Sequence, residues 1–159
     1  MIIHSKNELR ANILMMETLK VVYKGGLRTE STHLKSGSVI VTDAPVDNHG
    51  KGESFSPTDL LCSSLASCMI TVMGIAAETH QINFSDITCK VTKVMEVQPR
   101  KVKQIIIDIE MGSHSYSAKE KAMLMNTAKT CPVGLSLSSE LLQSVSFQFI
   151  DEKILLQIP

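Results

Sequence analysis

The chain has 159 residues, with sixteen basic and sixteen acidic side chains, no tryptophan and 4% aromatic residues. Such a length predicts one domain with a core of its own, and the cancelled charge excludes a global field that would draw the protein to nucleic acid or an anionic membrane. So few rings also leave little for base stacking.

Residues 1–17 carry no clean period and read as an N-terminal appendage, with a single domain expected over 18–159. The opening shows no basic stretch followed by a long apolar run and a cleavage site, so no secretory signal is read and a cytoplasmic protein is expected. From Thr18 the pattern alternates. Leu19, Val21 and Tyr23 fall on one face, Gly25 and Gly26 make a hairpin turn, and Arg28, Glu30 and Thr32 share a face of the second strand. A turn at Lys35, Ser36 and Gly37 then leads to a third strand, SVIVTD. The polar stretch APVDNHGKGESF follows, and loops of this length in compact domains are often functional.

A helix is predicted from Ser56 to Thr79. Ser56 can cap it, Pro57 suits its first position, and Asp59 favours the positive end of the helix dipole. From Leu60 to Ala77 there is no charged residue and no histidine, and the apolar side chains surround the axis, which predicts a buried helix. The length would admit a membrane span, but Ser63, Ser64, Ser67 and Thr71, with no second such segment, favour a packed core. Cys68 lies at its middle. Cys62, about 240 degrees away around the helix, is expected to face elsewhere and pack.

A second sheet segment follows, in ITCKVTKVMEV and VKQIIIDIEM joined by a turn from Gln98 to Lys101. Ile87, Cys89 and Val91 alternate inward, as do Ile105, Ile107 and Ile109. Ser117 and Glu120 form a capping-box pattern ahead of KEKAMLMNTAKT. Pro132 disfavours helical geometry at Cys131, so one helix should stop there and a short one begin, with Pro132 first and Cys131 as its cap. A thiol at that cap faces free amides and is expected to have a lowered pKa. VSFQF makes a last strand, and DEKILLQIP is expected to trail off as an edge or partner-contacting tail. The order βββ, α, ββ, αα, β points to an α+β fold with antiparallel pairing.

Four cysteines without CxxC spacing weaken a thioredoxin-type motif and a structural zinc site, and in a reducing compartment they are expected to be thiols. His33, His49, His80 and His114 are scattered, with no ligand spacing, so neither metal nor cofactor is expected.

The runs GGLRTE, TDAPVDNHGKG, SPTDLLCSSLASC and CPVGLSL, in that order and spacing, resemble the osmotically inducible protein C and organic hydroperoxide resistance (OsmC/Ohr) family. The resemblance covers nearly the whole chain from Thr18. It implies an intertwined homodimer, with antiparallel sheets wrapped around two central helices, that reduces organic hydroperoxides. It further implies that Cys68 is the peroxidatic residue, Cys131 the resolving one and Arg28 the cation beside the thiolate, with a dithiol, of lipoyl type, as reductant. One place departs from the pattern. Where the hydroperoxide-resistance branch carries a glutamate that orients the arginine, this chain has Thr58, with Asp59 one residue later, about 100 degrees around the helix. Asp59 is therefore read as a helix cap or as the partner of Arg28, with Glu30 an alternative partner. Besides the peroxidase, two readings stay open: a module binding an apolar ligand, and a redox sensor.

Overall fold

Gly26 and Leu27 both take positive φ, 58° and 62°. That pair of angles makes the tight hairpin turn whose twist matches the flanking strands. It folds β1 (Leu19–Gly25) onto β2 (Arg28–His33), and β3 (Val39–Asp43) returns along the other edge of β2, giving an antiparallel sheet in the order β1-β2-β3. The expected meander is present. Its register sets Gly25 opposite Arg28 and Arg28 opposite Asp43. The computed structural model describes residues 17–158, so the expected appendage lies outside it apart from Glu17. The chain divides at Pro57 and Thr58 into two compact units.

In the first unit, the stretch after β3 is closed rather than loose. A short helical turn, Val46–Asn48, is followed by amide hydrogen bonds from Gly50 to Pro45 O and from Gly52 to Ala44 O. A Cβ on Gly50 would fall 1.7 Å from Ala44 O, so only glycine closes this loop. Phe55 then bridges to Thr42. On the sheet, Leu19, Val21, Tyr23, Val39 and Ile40 all stand exposed.

The second unit is built on α1 (Pro57–Thr79). Cys62, Leu65, Ala66, Met69, Met73 and Ala77 are its buried side chains, one stripe at helical spacing. Ser63, Ser64, Ser67, Thr71 and Ile75 are exposed. Burial on all sides, expected from the sequence, is thus corrected: within this chain the helix has one covered face. Among the described residues α1 is the one helix long and apolar enough to cross a membrane, and 33% of its most apolar window is buried.

The covering sheet comprises β4 (Thr88–Glu96), β5 (Lys101–Glu110), β6 (Leu142–Gln148) and β7 (Lys153–Ile158), in that order. Ile105, Ile107, Ile109, Val145 and Phe147 are fully buried. Cys89 is half-buried at the core margin, whereas Val91 stays exposed. Pairing is antiparallel except between β5 and β6, which run parallel. This corrects the expectation of antiparallel pairing throughout. The link from β5 to β6 passes through two helices, α2 (Ala118–Ala128) and α3 (Pro132–Ser136), and such a crossover can return the chain in the same direction. Of the two readings of the last segment the edge is the one found: β7 pairs with β6, with Ile154, Leu156 and Ile158 turned inward.

The capping box on α2 is present. Glu120 N donates to Ser117 Oγ at 3.3 Å and Ser117 N to Glu120 Oε2 at 2.7 Å. Further along the helix, Lys121 is 5% exposed; its Nζ donates to Asp151 at 2.6 Å and Glu152 at 2.7 Å and lies 5.0 Å from the centre of the Phe149 ring. A buried ammonium therefore ties α2 to the turn between β6 and β7. Ser117→Ala is expected to lower stability by about 1 kcal/mol, the usual value of an N-cap, measured by urea denaturation at pH 7.

Candidate active site

Pro132 cannot donate a backbone hydrogen bond, so the helix containing it starts afresh there. Cys131 caps α3 as expected, its Sγ accepting from Gly134 N at 3.5 Å. The residue is fully buried, and its thiol points toward Leu65 O on α1, 4.0 Å away. Cys68 follows Leu65 by three residues, so it lies on the same side of the helix one turn on. Its thiol is near enough to that of Cys131 to perturb it. All four cysteines are free thiols.

The expected low pKa of Cys131 is corrected. Burial pushes this thiol up, and the neighbouring Cys68 thiol adds to the rise, while the Gly134 amide pulls the other way without prevailing. Loss of water outweighs the one amide that a single turn of helix offers. Cys62 is buried in the core stripe, and burial raises its pKa too, in keeping with a packing role.

In the first unit, Arg28 grips Asp43 with two parallel hydrogen bonds, Nε to Oδ1 at 2.6 Å and Nη2 to Oδ2 at 2.7 Å. Nη2 also donates to Glu53 Oε2 at 2.8 Å, and Glu53 N donates to Asp43 Oδ2 at 3.2 Å. Asp43 is 2% exposed, and the guanidinium holds its carboxyl below the usual range against the opposing effect of burial. The same bonds, that to Asp43 foremost, make Arg28 still harder to deprotonate.

The carboxylate partners of Arg28 are thus Asp43 and Glu53, which the sequence reading did not single out. Glu30 lies 3.8 Å from Lys24 instead. Asp59 accepts from Lys93 Nζ at 2.6 Å, and the same ammonium donates to Thr58 Oγ1 at 2.9 Å. Of the four residues predicted for the site, Cys68 and Cys131 are brought together in the second unit; Arg28 is held by its own acids in the first, and Asp59 by a lysine. A signal for Asp43 did exist in the sequence: counting residues back and forth across the Lys35–Gly37 turn pairs it with Arg28. Among the described residues no group of three or more His, Cys, Asp or Glu could hold a metal ion.

The second unit is thus an α+β arrangement with one cysteine on its long helix and another capping a short helix. The OsmC-like protein family matches residues 50–143, more than half of the chain. A solved structure from Psychrobacter arcticus 273-4, assigned by name to an osmotic stress induced and detoxification response, is 48% identical, with 84% of this chain and 96% of that one covered and a TM-score of 0.80. The chain belongs to the OsmC-like family. An organic hydroperoxide resistance protein OsmC from Legionella pneumophila (15% identity; 84% and 98% covered; TM-score 0.67) shares the fold. So does an OsmC like protein from Mycoplasma pneumoniae (20%; 84% and 97%; 0.69). A search of the curated proteins found no match.

Because the folded pKa of Asp43 is depressed, the stability it confers is fully present above the unfolded carboxylate value of about 3.9 and is lost as pH falls through the folded value. Asp43→Asn should therefore be less stable than the wild type at pH 7. The two urea-denaturation curves should converge in strong acid.

Proposed function

We propose that the protein is a cysteine-based peroxidase that reduces organic hydroperoxides, with a dithiol as reductant. The observation that carries this reading is the adjacency of Cys68 and Cys131 as free thiols, on a helix and at a helix start far apart in sequence. In the proposed cycle the Cys68 thiolate attacks one peroxide oxygen and the O–O bond breaks. The alkoxide takes up a proton and leaves as an alcohol, with Cys68 now a sulfenic acid. The Cys131 sulfur then attacks the Cys68 sulfur; the S–S bond forms, and the hydroxyl leaves with the Cys131 proton as water. A dithiol, of lipoyl type by family resemblance, restores both thiols by two exchanges and becomes a disulfide itself.

The raised pKa of Cys131 fits a resolving role, since a sulfur that keeps its proton at neutral pH is spared direct attack on peroxide. On this reading Arg28 is the cation that steadies the thiolate and the peroxide oxygen. Asp43 and Glu53 fix its Nε and Nη2, the orienting task for which Thr58 has no carboxylate. Asp59, bound to Lys93, then keeps only a supporting part at the start of α1.

The working unit on this reading is a cytoplasmic homodimer. What supports the second copy is uncovered apolar surface, with Leu19, Val21, Val39 and Tyr23 between 53% and 64% exposed on one small sheet. Light scattering on the purified protein should return about twice the 17.4 kDa chain mass; a monomer at micromolar concentration would remove this part of the proposal.

With cumene hydroperoxide and a dithiol, the wild type should turn over many times. Cys68→Ser should consume no peroxide, and Cys131→Ser should complete one turnover and stall. Equal activity of Cys68→Ser and wild type sinks the assignment. Oxidation without turnover would instead indicate a redox sensor, and unreactive thiols a module that binds an apolar ligand.

A further inference from the structure

Gln143 lies on β6 with 1% of its surface exposed, in the most deeply buried strand of its sheet. Its Nε2 donates to Gly134 O at 3.2 Å, joining Leu137 N, which donates to the same oxygen at 3.3 Å. Its Oε1 has no hydrogen-bond partner, and among the described residues it is the one buried side-chain nitrogen or oxygen of which this is true. A buried amide with one half unsatisfied is costly, and an apolar side chain of similar shape would be cheaper to bury. What the amide contributes must therefore come through its other half, the bond to Gly134 O.

That bond fixes the residue that positions a sulfur. Gly134 N donates to Cys131 Sγ, so the two polar groups of Gly134 connect Gln143 on one side to Cys131 on the other. The space between them is filled. A Cβ on Gly134 would meet Gln143 Oε1 at 3.0 Å, Leu65 Cδ1 at 3.4 Å and Cys131 Cβ at 3.9 Å. The short helix α3 has only five residues and contributes no buried side chain of its own to the core. Its first turn is held by the Cys131 sulfur, by Gln143 and by Val133, which packs at the core margin.

We infer that Gln143 is a positioning residue for the Cys68–Cys131 pair, holding the first turn of α3 through Gly134 so that the Cys131 sulfur stays over the Leu65–Cys68 turn of α1. The inference rests on the reading of Cys68 and Cys131 as a redox pair. It adds to that reading a residue that touches neither peroxide nor reductant. In the condensation of sulfenic acid with thiol, and in disulfide formation from two thiols with loss of two electrons to an oxidised glutathione, the same proximity sets the effective concentration of one sulfur at the other. Gln143→Leu removes the clip and leaves Gly134 O with its Leu137 partner, so no new orphan is made. Gly134→Ala keeps the amide and crowds it away.

The test equilibrates wild type, Gln143→Leu and Gly134→Ala with glutathione redox buffers, and measures the Cys68–Cys131 disulfide by thiol trapping and peptide mapping. Loss of one neutral hydrogen bond predicts a fall of about tenfold in the equilibrium constant for disulfide formation in both variants. The melting temperature of reduced Gln143→Leu should stay at or above that of the wild type, because an orphaned oxygen has gone. With one equivalent of cumene hydroperoxide, loss of the Cys68 thiol should keep its rate while the disulfide appears about tenfold more slowly, again one hydrogen bond's worth. An unchanged equilibrium constant in Gln143→Leu overturns the inference, as does a loss that merely tracks a fall in melting temperature. A wild-type disulfide that forms in glutathione but not with hydroperoxide defeats the peroxidase reading alone, and the glutathione result then decides the role of Gln143.

Discussion

One steric preference organises the second unit: the ring of Pro132 disfavours helix at Cys131. Because the chain must stop and restart there, Cys131 becomes a cap, and a cap residue turns its side chain back toward the amides of the turn it begins. The sulfur is thereby aimed at Gly134 N and, beyond it, at the backbone of α1 near Cys68. The meeting of two cysteines so far apart in sequence follows from a proline beside one of them and small residues beside the other.

Burial decides how that meeting behaves. The start of a helix favours an anion, yet the Cys131 thiol is pushed up, because losing water outweighs a short helix with one well-placed amide. Arg28 and Asp43 show the opposite balance. Asp43 is equally hidden, but a planar guanidinium meets both its oxygens, and the paired charge prevails over desolvation. The difference is whether the buried group has a full opposite charge in contact or only a partial one.

Local grammar was legible in the sequence. The capping box of Ser117 and Glu120, the restart at Pro132, the turn at Lys35–Gly37 and the span of α1 all depend on residues within a few positions of one another, and each is found where the pattern puts it. The cysteine blocks carried the family for the same reason. What depended on distant parts was not legible. Glu30 looked a fair partner for Arg28 because they share a strand face, but the register of β2 on β3 and the closed loop after it deliver Asp43 and Glu53. The parallel pairing of β5 with β6 depends on how the α2–α3 crossover lies, which no strand pattern encodes. The composition of α1 is apolar on every side, so sequence could not tell that a single sheet would cover only one stripe of it.

The buried Lys121 makes the turn between β6 and β7 indispensable to the interior. An edge strand is ordinarily the part of a sheet most easily trimmed, since it shields the least. Here the bend leading into β7 carries both carboxylates that neutralise an ammonium lodged against Phe149. Removing both carboxylates would leave that ammonium beside the Phe149 ring with nothing to answer it. The Asp151–Glu152 turn is therefore a keystone for α2, although it lies outside both strands it joins.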